Sequence, residues 1–228
     1  MSDRLTTEIH MSDDAREGVV LLHGIRRTHR SMRRIARACQ AAGFATLNID
    51  YPSSKGTIED HAMQIAAAII TFATRFERVH LVGFSMGALV IREFLAHYRP
   101  SNLGRVVFLG PPLGGSRIAD LLTTHRHLSR VAPRWWGPAL QELTTAHQQA
   151  RPQPEIDYPL GIIAGATARF GPWGKLHGNL PNDGLVALEH TRMTGMGGHI
   201  VLPLHHNALI SDRTAIRAVV SFLTKGCL

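Results

Sequence analysis

Cysteine is scarce in this chain, with only Cys39 and Cys227 present. One sits on an amphipathic segment and the other is next to last, so neither a disulfide framework nor a C-x-x-C metal or redox site is available. That usage points to a reducing compartment and a cytoplasmic location. No apolar run reaches about 18 residues, so no membrane-spanning helix is expected. Residues 1–17 mix acids with bases around no apolar core, which argues against a secretory signal. Internal repeats, low-complexity tracts and nucleic-acid-binding signatures are also missing, and no nucleic-acid partner is expected. Acidic residues are outnumbered, 17 Asp and Glu against 25 Lys and Arg, for a net charge of +8. Arg26, Arg27, Arg30, Arg33, Arg34 and Arg37 recur closely. They read as the solvated face of a helix, with a favourable field for anionic substrates, lipid head groups or nucleic acid as the alternative.

What is present is ordinary for a globular protein: 44% hydrophobic and 18% charged residues over 228 positions. That length suits a single domain spanning 1–228, with room for an inserted cap. Gly18 to Leu22, Phe44 to Asp50, Arg78 to Val82, Gly104 to Leu109, Pro159 to Gly165 and His199 to Leu204 read as strands. Between them, Ser31 to Ala42, Ile58 to Phe76, Ala88 to His97 and Arg213 to Leu223 carry helical periodicity. The early strands are continuous apolar runs rather than alternating ones. Alternation of such strands with helices predicts an α/β protein, a mostly parallel sheet covered by helices on both faces. The rhythm breaks between Leu113 and Asp157, where prolines and short apolar clusters predict a small helical cap. A glycine-rich loop, Ala166 to Gly184, follows the resumed sheet.

The informative motif is Gly83-Phe84-Ser85-Met86-Gly87, between an apolar strand and a helical run. Small residues on both sides let strand and helix approach, so the serine can occupy a strained turn with its hydroxyl exposed. Ser85 is therefore a candidate nucleophile, and the chain is searched for a base, an acid and an oxyanion hole. The residue after the nucleophile supplies one backbone donor, Met86. The loop after the first strand, Leu22-His23-Gly24-Ile25, supplies the other, the N–H of Ile25. Asp183, in Asn182-Asp183-Gly184, is the candidate acid, because Gly110 to Ser116 after the fourth strand has no carboxylate. Asp50 reads as structural. The base is one of two adjacent histidines at a strand end, His205 or His206. The small and apolar residues that follow His206 favour it through the resemblance described below.

These stretches resemble the α/β-hydrolase superfamily, in particular its small bacterial esterases and lipases. The likeness rests on Val20 to Gly24, Gly83 to Gly87, Asn182 to Val186, the paired histidines and the small-residue segment Pro111 to Ser116. It implies a serine hydrolase of carboxylic esters using a Ser85–Asp183–His206 triad, a small-molecule acyl ester or lipid substrate, and no cofactor. An acyltransferase or thioesterase on the same triad, or a non-catalytic binding protein of this fold, are the alternatives. Phe84 stands where true lipases often carry histidine, which weakens a triglyceride reading. His177, His190, His199, His205 and His206 cluster late in the chain, but their spacing matches no zinc motif and no metal is expected. In the cap, Trp135 and Trp136 are candidate substrate-binding residues; the alternative is that they simply pack the cap onto the sheet.

Overall fold

The structure, a computed structural model, describes residues 5–12, 14–152, 154–168 and 176–228. Seven strands form one sheet: β1 (Thr6–His10), β2 (Glu17–Leu22), β3 (Ala45–Asp50), β4 (Arg78–Phe84), β5 (Leu103–Leu109), β6 (Leu160–Gly165) and β7 (Gly198–Leu202). Their order is β1-β3-β2-β4-β5-β6-β7. All neighbours are parallel except β1, which runs antiparallel to β3. The sequence reading missed β1. Its five residues are all exposed, so no hydrophobic pattern announces it. Pairing with β3, not burial, makes it a strand.

The continuous apolar runs have a simple cause. Both faces of the sheet are covered, so both sets of alternating side chains are buried. Val20 and Leu22 join one core cluster with Leu81, Val106 and Phe108, whereas Val19 and Leu21 join the other with Val82, Val107 and Leu109. The first cluster is closed by α2 (Ile58–Ala73) and α3 (Met86–His97). The second is closed by α1 (Arg33–Ala41) and by α8 (Arg213–Lys225), the final helix. Capping residues set helix ends: Thr57 and Asp60 make a reciprocal capping box at α2, and Asp212 caps α8. Cys39 is buried in the second cluster, where desolvation pushes its thiol up to about 12.

Between β5 and β6 lie four short helices: α4 (Arg117–Thr124), α5 (Leu128–Trp136), α6 (Ala139–Glu142) and α7 (Thr145–Ala150). Their apolar residues, Ile118, Leu122, Leu140 and Leu143, belong to the same cluster as α2 and α3. Polar ties fix them further. Arg92 of α3 donates to Gln148 Oε1 at 2.7 Å, Arg151 pairs with Glu93, and the Ile58 N–H donates to the Glu142 carboxylate. Residues 169–175 of the predicted glycine-rich loop fall outside the described residues.

A buried aromatic stack supports the loop after β2. The His23 ring lies parallel to Tyr51 at 4.4 Å, and His61 tilts against Tyr51 at 5.0 Å. Asp50 serves this stack: its Oδ1 lies 3.1 Å from His23 Nε2. His61 is 1% exposed and its Nε2 has no hydrogen-bond partner among the described residues. Burial pulls its pKa down to about 4. Between that value and the ordinary 6.5, the unfolded chain binds the proton and the folded chain does not. Stability therefore rises with pH through this window and is fully present above it. Acidification from pH 6.5 to 4 should cost on the order of 3 kcal/mol through this one group. His61→Phe keeps the ring and removes the proton site. Urea titrations at both pH values should show the variant losing less stability than the wild type, and equal losses would exclude His61 as the source.

Candidate active site

Ser85 caps α3 at the C-terminal end of β4, with φ 53° and ψ −123°. Such a conformation is costly for a non-glycine residue and persists only where the surroundings enforce it. Here two close approaches enforce it. A Cβ on Gly83 would lie 2.7 Å from the Ala88 backbone, and one on Gly87 would lie 2.5 Å from the Leu22 carbonyl oxygen. Only glycine admits α3 this close to β4 and β2. The Ser85 N–H donates to the Leu109 carbonyl at 2.9 Å, tying the turn to β5. Its hydroxyl enters no hydrogen bond among the described residues, and Ser85 is half-buried, facing open space.

His206 and Asp183 meet from two separate loops. Asp183 follows β6 and His206 follows β7. Nδ1 of His206 lies 2.7 Å from Asp183 Oδ2, and both side chains are buried. The His206 N–H also donates to the Asp183 carbonyl at 2.9 Å. A carboxylate only accepts, so Nδ1 is the donor in this pair, and in the neutral ring that leaves Nε2 as the acceptor. The other carboxylate oxygen, Oδ1, accepts from the N–H groups of Leu185 at 3.0 Å and Val186 at 2.8 Å. The face of the His206 ring is held by Phe84, 4.9 Å away between centroids. His205, the alternative base, makes no hydrogen bond or ion pair with Asp183 among the described residues and is only partly buried.

The loop after β2 turns over Ser85. A Cβ on Gly24 would lie 3.1 Å from the Ser85 Cβ. The N–H groups of Arg26 and Arg27 are taken by Ser53 Oγ at 3.0 Å and the Gly24 carbonyl at 3.2 Å. None of the described hydrogen bonds uses the Ile25 N–H. Met86 opens α3, where a first-turn N–H has no acceptor inside the helix. Neither N–H is committed to a described hydrogen bond; Met86 directly follows Ser85, and Ile25 borders the same open space.

Among the described residues, two cavities meet at Ser85. An outer one of about 410 Å³ is bordered by Arg26, Arg27, Ser85, His206 and Asn207. An inner one of about 60 Å³ is walled by Leu122, Leu140 and Leu143 of the inserted helices. Ile25, Trp136 and Leu185 border both. Trp135, expected beside Trp136 as a substrate contact, borders neither and is 62% exposed. Adjacent helical residues point about 100° apart, so Trp136 reaches the cavity wall while Trp135 meets the site only through Arg26, 5.6 Å from its ring. Arg26 and Arg27 were grouped with the arginines of a solvated helix face. Helical structure begins only at His29, in a 3-10 turn that runs into α1 at Arg33, and these two stand in the turn above the cavity instead. Their position two and three residues after His23-Gly24 was the signal available. Of the late histidines, His190 Nδ1 lies 3.0 Å from the Gly115 carbonyl oxygen and His199 Nε2 lies 2.9 Å from Thr191 Oγ1.

The profile of the Alpha/beta hydrolase family matches residues 19–213. No curated protein sequence matches the chain. Among solved structures, the mature form of the lipase BlEst2 from Bacillus licheniformis is similar at 20% identity, with 97% of each chain covered and a TM-score of 0.75. The carboxylesterase CesB (YbfK) from Bacillus subtilis is similar at 16% identity, covering 98% of this chain and 88% of its own, with a TM-score of 0.61. The esterase RhEst1 from Rhodococcus sp. ECU1013 is similar at 17% identity, covering 97% and 94%, also with a TM-score of 0.61. At these identities the likeness is one of fold.

Proposed function

This chain belongs to the alpha/beta hydrolase family, and on that footing we propose that it hydrolyses carboxylic esters through Ser85, His206 and Asp183. The observation that carries the reading is the buried His206–Asp183 pair at 2.7 Å, its ring bordering the cavity that Ser85 also borders. Ser85 Oγ attacks the ester carbonyl while His206 Nε2 takes its proton. The N–H groups of Ile25 and Met86 hold the oxyanion that develops. Collapse expels the alcohol, which His206 protonates, and leaves an acyl-Ser85 ester. His206 then deprotonates a water that attacks this ester, releasing the acid and restoring the serine. Asp183 keeps the ring in the tautomer that accepts at Nε2. The names of the similar lipase and esterases agree with ester chemistry. One domain with α4 to α7 as its cap, in the cytoplasm, completes the proposal. Two free cysteines support that location, and among the described residues no helix is long and apolar enough to cross a membrane.

The inner cavity supports a short acyl chain, since about 60 Å³ is far below a common ligand pocket. A panel of p-nitrophenyl esters should show kcat/KM rising a few-fold per methylene, then falling once the cavity is full, with the optimum among short chains. Burying each methylene contributes about 0.8 kcal/mol, which sets that slope. Trp136→Ala, on the wall of this cavity, should move the optimum to longer chains, while Trp135→Ala should leave it in place. No hydrolysis of any ester would refute the reaction. A wild-type optimum at long chains, or one that Trp136→Ala does not move, would refute the assignment of the acyl cavity.

A further inference from the structure

The two cavities at Ser85 differ in chemistry, and His206 distinguishes their roles. The general acid must reach the oxygen of the departing alcohol. His206 borders the outer cavity and not the inner one. The alcohol part of the ester therefore leaves on the outer side, and the acyl part lies inward against the leucines.

The outer side is built for charge. Its bordering residues include Arg26 and Arg27 and no carboxylate. Some arginines of this chain pair with acids, among them Arg16 with Glu77, Arg33 with Glu8, Arg99 with Asp157 and Arg151 with Glu93, whereas others, such as Arg34, Arg92 and Arg105, meet neutral acceptors. Arg27 has only a neutral acceptor, donating to Asn207 Oδ1 at 2.7 Å, and lies 5.5 Å over the Phe84 ring. It is partly desolvated, which disfavours its charge. Arg26 is exposed, lies over both tryptophans, Trp136 at 5.3 Å and Trp135 at 5.6 Å, and has no ion-pair partner among the described residues. For the partly buried Arg27, desolvation without a counter-ion is a cost that an anionic ligand can offset. The backbone points the same way. Among the described residues, the two non-glycine residues with positive φ are Ser85 and Arg26, at 53° and 56°. Strain of this kind gathers where a site must be held in shape.

We propose that the alcohol part of the substrate carries an anionic group, a carboxylate, sulfonate or phosphate, which Arg26 and Arg27 bind while a short acyl chain fills the inner cavity. The proposal rests on the ester-hydrolase reading and narrows it to short-chain esters of anionic alcohols.

The test compares 4-carboxyphenyl acetate with its neutral counterpart, 4-(methoxycarbonyl)phenyl acetate. The readout is the ratio of their kcat/KM values in wild type and in variants, so the different leaving-group acidities cancel. Arg26→Gly suits a residue at positive φ, and Arg27→Gln keeps a donor for Asn207, so both should fold, as circular dichroism would check. Charge-assisted hydrogen bonds of this kind predict a ratio about 10- to 100-fold higher in wild type than in the double variant, mostly through KM. Arg37→Gln removes one positive charge on the exposed face of α1 and should leave the ratio intact. If wild type cleaves the neutral acetate but the double variant keeps the wild-type ratio, the hydrolase reading stands and this inference is overturned. The same holds if Arg37→Gln lowers the ratio equally, or if phosphatidylglycerol vesicles are hydrolysed in preference to the anionic acetate. If wild type cleaves neither acetate and a fluorophosphonate leaves Ser85 unlabelled, the hydrolase reading fails and this inference falls with it.

Discussion

Ser85→Ala should lower kcat on a short-chain ester by about 10⁶-fold if the chemical step limits turnover. The fold should survive. Alanine at φ 53° carries the same backbone strain as serine, and the lost hydroxyl holds no hydrogen bond among the described residues. What disappears is the one atom that would form the acyl-enzyme. Backbone donors and cavities remain, so a small residual rate over water is expected. Circular dichroism and a urea titration alongside the rate would separate lost chemistry from lost structure. A folded variant with activity within tenfold of wild type would show that another group attacks the ester.

Asp183→Asn should cost roughly 10⁴-fold in kcat, and the hydrogen bonds explain why so small a change is so damaging. Oδ1 of Asp183 accepts two backbone N–H groups, from Leu185 and Val186. In the asparagine variant that position must remain the oxygen, because an amide nitrogen there would face two donors. The NH₂ group is thereby forced toward His206 Nδ1. The ring must then accept at Nδ1 and carry its proton on Nε2, where it cannot take the proton of Ser85. His206→Ala should approach Ser85→Ala, whereas His205→Ala should have a far smaller effect. A loss under tenfold for Asp183→Asn would mean that another acid orients the base.

The parts legible in the sequence are those set by local chemistry. The Gly83 to Gly87 turn was readable because each glycine marks a close approach that any Cβ would block. Asp183, which meets His206, was marked by its Asn-Asp-Gly turn after a late strand and by the lack of a carboxylate in the loop after β5. The α/β layering followed from strands apolar on both faces. What could not be read depends on long-range placement. β1 has no buried residue and exists through its pairing with β3. Trp135 and Trp136 differ only in which side of α5 they occupy. The ties between α3 and the inserted helices, such as Arg92 with Gln148, join residues 56 positions apart. Arg26 and Arg27 look like members of a charge run until the start of α1 separates them from it.

The most direct measurement is mass-spectrometric mapping of a fluorophosphonate adduct on the intact, folded protein. The reagent reacts with a serine hydroxyl only where a base and oxyanion donors converge on it. The account predicts one adduct, on the peptide containing Ser85, absent from Ser85→Ala and strongly slowed in His206→Ala. A folded wild-type protein that takes up no label, or takes it up on a residue other than Ser85, would contradict it.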